Sequence, residues 1–112
     1  MKIEFFVPGK PKELKYSSSK GHIYCPKEVR SYQERVGWLA KIRVKEPTTK
    51  PIKLYLEVYV KKGRTADLSN YLKNIENALQ GIVYQNDNQV EEIVAKRIQH
   101  AFLEGVRVKC LI

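Results

Sequence analysis

The stretch that decides the fold runs from Arg64 to Val90 and reads RTADLSNYLKNIENALQGIVYQNDNQV. Its first half predicts an amphipathic helix, because apolar residues recur there every three or four positions: Leu68, Leu72, Ile75 and Leu79. Asp67 stands just before the helix, where a carboxylate can cap free N–H groups and meet the positive end of the helix dipole. Gly81 is well placed to end the helix.

The polar residues of this helix share the face opposite the apolar stripe, since they are also three or four positions apart: Ser69, Asn70, Lys73, Glu76 and Asn77. Asp87 follows twenty residues after Asp67, in the turn QNDNQ behind a short predicted strand, GIVY. If that strand returns beside the helix start, the two carboxylates converge. Carboxylates with Ser and Asn oxygens suit Mg²⁺ or Mn²⁺.

These residues also have ordinary structural interpretations, which the pattern alone leaves open. An Asp before a helix is commonly a cap, and an Asp between two Asn residues is commonly a turn former. Lys73 in mid-helix is commonly a solvated cation. Under the functional interpretation, Lys73 neutralises charge on a substrate phosphate beside Asp67 and Asp87.

The rest of the chain predicts an α+β domain, 1–112, with two main helices on a mixed sheet of about four or five strands. MKIEFFVP opens as a strand, and residues 26–45 carry the spacing of a first helix. IKLYLEVYVKK alternates strictly between apolar and polar, which predicts a strand with one buried face. VEEIVAKRIQH fits strand or helix and is assigned to strand, and GVRVKCLI is the closing strand.

Charge and cysteine content narrow the class of protein. The net charge of +9 at pH 7 favours a polyanionic partner, with nucleic acid first and an acidic membrane second. The basic residues collect on no single amphipathic helix, which disfavours the membrane surface. Cys25 and Cys110 lie far apart, and with His22 and His100 they form no zinc pattern. We expect a soluble cytoplasmic protein with reduced thiols and no small-molecule cofactor.

A long basic segment, GKPKELKYSSSKGHIYCP, separates the first strand from the first helix. It shows no sustained period, so it is predicted to be a loop. Its lysines are suited to contacts with the phosphate backbone of a nucleic acid. The alternative interpretation is that the segment is a flexible surface loop without such a role.

Three stretches of this sequence resemble the RusA family of Holliday-junction resolvases. DLSNYLKNIENALQGIVYQNDNQV resembles the family signature Asp-x-Asp-Asn-x-x-Lys, then Asp-Ala-Leu, then Asp-Asp-x-Gln-Val or Ile. FFVPGKPKELK resembles the opening strand, Pro-Gly-x-Pro turn and basic loop of that family. YCPKEV resembles a Tyr-x-Pro-like element that precedes the family's first helix.

The resemblance implies a homodimer that cuts four-way DNA junctions with Mg²⁺, or Mn²⁺ in its place. By resemblance Asp67 and Asp87 are metal ligands, Lys73 is the catalytic cation, and Asn70 matches the motif Asn. Six basic residues are then candidates for contacts to the DNA backbone: Lys10, Lys12, Lys15, Lys61, Lys62 and Arg64. Arg64, three residues before Asp67, is expected beside the site.

This chain departs from the signature at three positions. Ser69 stands at the second Asp of the motif and is expected to supply a neutral metal ligand. Asn86 replaces the first Asp of the later pair, and Asn77 the Asp before Ala-Leu. Lost negative charge weakens metal affinity, so a catalytically weak or inactive junction-binding protein is the alternative. A small basic domain that binds RNA or protein ranks third.

Overall fold

The computed structural model describes residues 1–62 and 66–112. The elements follow in chain order: β1 Lys2–Pro8, β2 Ser17–Ser19, β3 His22–Tyr24, α1 Lys27–Lys41, β4 Ile52–Val60, α2 Leu68–Leu79, a short 3₁₀ helix Asp87–Gln89, β5 Val90–Gln99 and β6 Gly105–Leu111. The predicted α+β class is confirmed, with two helices, a four-stranded mixed sheet and a separate two-stranded hairpin.

The main sheet has the strand order β1-β6-β4-β5. The pairs β1–β6 and β6–β4 are antiparallel, whereas β4 and β5 are parallel. A parallel pair needs a crossover connection, and α2 provides it between the end of β4 and the start of β5. Consequently the chain leaves β4 at one end of the sheet and enters β5 at the other.

Both helices cover the same face of this sheet, because their apolar stripes pack on alternate strand residues. Along β4 every second residue is buried, from Ile52 to Val60, while the residues between them face away from the helices. On α1 the buried side includes Val29, Tyr32 and Val36, as the helical spacing predicts. The core thus lies between the helices and one face of the sheet, and the opposite sheet face carries no helix among the described residues.

Three local features differ from the sequence-based expectations. Ser17–Ser19 and His22–Tyr24 form an antiparallel hairpin inside the segment predicted to be a loop. GIVY (residues 81–84) is a turn rather than a strand, because it folds back on the end of α2. Its last residue, Tyr84, forms isolated bridges with Thr48 and Gln80. Helix α1 stops at Lys41, short of the predicted end at residue 45. Gly81 has φ +84° just after α2, as its helix-ending role requires.

The structure also bears on the cysteines and on membrane insertion. Cys25 and Cys110 are free thiols, and burial raises the pKa of Cys110 to about 12. Among the described residues, neither helix has the length and apolar character needed to cross a bilayer.

Candidate active site

Asp67 occupies the N-cap position of α2 with an exposed side chain. Its backbone carbonyl accepts bonds from the amides of Asn70 and Tyr71, at 3.0 and 3.4 Å. Its carboxylate makes no capping hydrogen bond. The helix therefore begins without using this side chain, and the carboxylate is available to a ligand.

A basic segment packs along the first two turns of α2. The amide of Leu14 donates to the carbonyl of Asn70 at 2.9 Å, and Asn74 Nδ2 donates to the carbonyl of Lys12 at 3.0 Å. The sequence left open whether the basic segment is a flexible surface loop. Because residues 12–14 are hydrogen-bonded to α2, this part of the segment is not a flexible loop.

Asn74 is the buried polar residue that makes this attachment. It is fully buried, and its Oδ1 accepts from Gln33 Nε2 of α1 at 2.7 Å while its amide reaches Lys12. One side chain therefore joins α2, α1 and the basic segment. The sequence pattern did not single out Asn74, although an Asn on the edge of an apolar stripe is the signal that could have done so.

A cavity of about 440 Å³ opens between the basic segment, the start of α1 and the residue preceding Asp67. Its wall carries three lysines and two carboxylates, and the lining consists of Lys10, Pro11, Lys12, Glu13, Lys15, Glu28, Val29, Ala66 and Tyr71. The amide of Ala66 donates to the Tyr71 hydroxyl at 3.1 Å, and Arg97 Nη1 donates to the Ala66 carbonyl at 3.0 Å. These two bonds hold Ala66, the residue before Asp67, at the rim of the cavity.

Of the six predicted DNA-contacting residues, three line this cavity, namely Lys10, Lys12 and Lys15. Lys61 lies just after β4 and forms an ion pair with Glu104, with 3.6 Å between Nζ and Oε1. Lys62 follows it and is exposed. Arg64 lies outside the described residues.

The turn that carries Asp87 is held by Gln89. Gln89 Oε1 accepts from the amides of Gln85 and Asn86 at 3.0 and 2.9 Å, and its Nε2 donates to the carbonyls of Thr48 and Lys50 at 2.8 and 2.9 Å. The Asn86 side chain accepts from the amide of Asn88 at 3.1 Å and so caps the 3₁₀ helix. Asn86 therefore has a structural role, and Asp87 is left exposed.

Asp87 lies close enough to the last turns of α2 for its charge to affect Glu76. Partial burial, then the charge of Asp87, raise the pKa of Glu76, and nearby Lys73 opposes the shift. The Tyr84 hydroxyl donates to the carbonyl of Glu76 at 2.8 Å and fixes the intervening turn. Glu76 is thus a carboxylate close to Asp87 and Lys73, which the motif comparison passed over and its spacing of three from Lys73 could have indicated.

The two Asp residues lie toward opposite ends of α2. This helix has 12 residues, so its ends are about 18 Å apart. Asp67 precedes its first turn, whereas Gln89 anchors the Asp87 turn to the residues just before β4. The expectation that Asp67 and Asp87 converge is therefore wrong for a single chain, because the chain returns beside the end of the helix and not its start.

The oxygen donors suit a hard cation, but within residues 1–62 and 66–112 no three His, Cys, Asp or Glu side chains group as a metal site. Magnesium needs only one or two carboxylates, with water and substrate phosphate completing its shell. Asp67 has an uncommitted carboxylate, with the exposed Ser69 two residues along. The residues present therefore fit Mg²⁺ bound through few protein ligands.

The order of these features, from basic segment to Asp67, Lys73 and the Asp87 turn, extends across most of the chain. A family model described as endodeoxyribonuclease RusA matches residues 7–110. The chain belongs to the RusA family. Membership indicates an endodeoxyribonuclease that resolves Holliday junctions. No curated protein matches this RusA-family chain.

Glu76 gives the site a testable pH dependence. Its pKa is raised in the folded state, so ionised Glu76 destabilises the fold above that pKa, and this cost disappears below the ordinary value of 4.5. We expect Glu76→Gln to raise the melting temperature at pH 7 and to leave it unchanged near pH 4. Thermal melts from pH 4 to 8 measure this, with Glu34→Gln on the exposed side of α1 as the control. A gain that persists at pH 4 contradicts the electrostatic explanation.

Proposed function

We propose that this RusA-family chain cuts four-way DNA junctions by metal-dependent paired phosphodiester hydrolysis, acting as a homodimer with Mg²⁺, or Mn²⁺ in its place. The observation that carries the proposal is the uncommitted Asp67 carboxylate beside a lysine-lined cavity. A four-way junction has near two-fold symmetry, so paired nicks require two sites related by the same symmetry.

The residues divide into those that would hold the cation and those that would act on the DNA. Asp67 would supply a charged ligand and Ser69 a neutral oxygen. Asp87, which lies toward the other end of α2, would act on the same cation only from the other protomer of the proposed homodimer. When bound, Mg²⁺ would act as a Lewis acid toward the scissile phosphate. Lys73, exposed on α2 and close enough to Glu76 to affect its pKa, would offset negative charge that develops on that phosphate. Asn70 is half-buried, and its carbonyl holds the basic segment in place.

A cleavage assay on a synthetic four-way junction tests the proposal, beside a linear duplex of the same sequence. We expect paired nicks with 5′-phosphate and 3′-hydroxyl ends in Mg²⁺ and in Mn²⁺, confined to the junction. EDTA should abolish cleavage, because the chain alone supplies no Lewis acid. Cleavage that continues in EDTA, or equal cleavage of the linear duplex, would contradict the proposal.

A catalytically weak or inactive junction-binding protein is the second candidate. The structure favours it at one point, since the Asn86 side chain is engaged in capping and stands where the family signature has an Asp. Ser69 removes another negative charge. Tight junction binding with no cut in either metal would select this candidate, and recovery of nicking in Ser69→Asp would identify the missing charge as the cause.

The cavity lysines are expected to contact phosphates, which makes binding dependent on salt. Each phosphate contact contributes roughly 0.9 to the slope of log affinity against log salt concentration. Replacing Lys15 with Gln should therefore lower that slope by about 1 and weaken binding to all junction sequences alike. Fluorescence anisotropy on labelled junctions from 50 to 300 mM NaCl, roughly the range over which such slopes are read, measures it.

Lys45→Gln is the matched control, since Lys45 is exposed in the connector after α1 and does not line the cavity. It should leave the slope unchanged. Equal effects of the two substitutions would show that net charge, and not the cavity, determines the affinity.

A further inference from the structure

The hairpin formed by β2 and β3 stands apart from the main sheet. Its strands, Ser17–Ser19 and His22–Tyr24, pair with each other and, among residues 1–62 and 66–112, with no strand of the main sheet. The two residues between the strands, Lys20 and Gly21, both have positive φ and form the tip of the hairpin. A two-stranded hairpin by itself is only marginally stable in water, so it gains stability when a partner covers it.

Large apolar side chains of this hairpin are exposed to solvent. Ile23 is 78% exposed, Tyr24 is 49% exposed, and Tyr16, which comes just before β2, is 61% exposed. Ile23 and Tyr24 are consecutive residues of β3, so their side chains lie on opposite faces of the hairpin. A flat surface packed on the hairpin would cover one of these faces and leave the other in water. A partner that covers both residues therefore has to lie on both sides of the hairpin.

The charge of the hairpin favours an anionic partner. From Lys15 to Lys27 the chain carries three lysines and no Asp or Glu. The base of the hairpin joins the cavity described above, because Lys15 and Glu28 both line that cavity. Glu13 and Glu28, the carboxylates nearest in sequence, lie in the cavity wall and not on the hairpin. The hairpin is thus a basic extension of the surface whose lysines are proposed to contact the DNA backbone.

The branch point of a four-way DNA junction offers such a two-sided, anionic partner. Where the arms meet, the last base pairs of adjoining arms can present open faces to either side of an inserted element, with phosphates around them. In a linear duplex, every internal base pair is stacked on both of its neighbours. Proteins insert apolar side chains such as Ile between base steps as wedges, and aromatic side chains stack on base faces.

We infer that the β2–β3 hairpin inserts at the branch point of the junction, with Ile23 and Tyr24 against bases on its two sides. Tyr16, at the base of the hairpin, contacts a base of the same branch point. These three residues then determine the preference for branched over linear DNA, whereas the cavity lysines bind phosphates of either. The inference rests on the proposed function for its substrate, and it applies whether or not the bound junction is cut.

Binding measurements in EDTA, where no cleavage is expected, test the inference. Fluorescence anisotropy compares the affinity for a four-way junction with that for a linear duplex of the same sequence. The double variant I23S/Y24S should weaken junction binding at least about fivefold, the lower end of what one stacked base contributes, and leave duplex binding unchanged. Tyr24→Phe should bind the junction like the wild type, because it keeps the aromatic ring.

Trp38→Ser is the matched control, since it removes an exposed aromatic side chain elsewhere on the surface. Trp38 is 67% exposed and lies about 16 Å along α1 from Lys27, the first residue of that helix. It should leave both affinities unchanged. Circular dichroism of the double variant should match the wild type, because both replaced side chains are exposed.

Photocrosslinking with the wild-type chain locates the contact directly. 5-Iodouracil crosslinks on illumination to an aromatic side chain that stacks on it. In place of a thymine at the branch point, it should crosslink to tryptic peptides 16–20 and 21–27, which carry Tyr16 and Tyr24 separately. In the middle of an arm, the same base should crosslink to neither peptide. This measurement decides the inference even if the double variant misfolds.

Four results would each overturn the inference: equal losses of junction and duplex binding in the double variant, wild-type junction binding by that variant, an equal loss in Trp38→Ser, or hairpin crosslinks as strong from the middle of an arm as from the branch point. A wild-type chain that prefers the junction and gives one of these results loses only this inference. A chain that binds linear duplex as tightly as the junction contradicts the proposed function as well.

Discussion

Asp67→Asn is expected to lower the rate of junction cleavage by at least about a hundredfold, which is roughly 2.7 kcal/mol of transition-state stabilisation. The substitution removes one charge and preserves the shape of the side chain. Binding and stability should change little, because the Asp67 carboxylate makes no capping bond and Asn is an equally good N-cap residue. Single-turnover cleavage, anisotropy and thermal melts measure the three quantities separately.

Glu46→Gln is the matched control, since it removes one negative charge from an exposed position in the connector before β4. It should cleave at the wild-type rate. Asp87→Asn should behave like Asp67→Asn, and these two are the only Asp residues of the chain. If Asp67→Asn cuts at the wild-type rate, the proposed metal role of Asp67 fails.

Asn74→Ala is expected to cost about 2–3 kcal/mol of the free energy of unfolding. The substitution leaves the Lys12 carbonyl and the Gln33 side chain without their partner at a partly buried contact, and a polar group that loses its hydrogen bond away from water carries a desolvation penalty. Junction affinity should fall as well, because the basic segment loses one of the two hydrogen bonds to α2 described above and its lysines are held less firmly. Urea unfolding followed by circular dichroism measures the stability, and anisotropy the affinity.

Tyr32→Phe is the contrasting control. Tyr32 is also buried, but its hydroxyl is the one buried side-chain polar atom in the described part of the chain that has no hydrogen-bond partner. Burial raises the pKa of Tyr32 to about 12, so the group stays neutral. Its removal should leave stability unchanged or slightly higher. Equal losses in Asn74→Ala and Tyr32→Phe would contradict the account based on hydrogen bonds.

Local patterns were sufficient to predict the elements with strong periodicity. Strict alternation in β4 and three- and four-residue spacing in α1 and α2 follow from burial of one side of each element, so the sequence carries them directly. VEEIVAKRIQH was ambiguous because β5 is an edge strand with both faces partly exposed, which removes the alternation that identifies most strands. The hairpin at Ser17–Tyr24 was missed because three serines carry no apolar pattern.

The sequence by itself determined the α+β class, the basic character of the segment before α1, and the candidate residues Asp67, Lys73 and Asp87, because these depend on composition and spacing along the chain. Only the tertiary structure decided where these residues lie relative to one another. The parallel pairing of β5 with β4 sends α2 across the sheet and puts Asp67 and Asp87 at its two ends. Hydrogen bonds between distant residues, such as Asn74 to Lys12, place the lysines beside Asp67. Spacing describes neighbours along one element, whereas strand order and buried polar contacts depend on the whole chain.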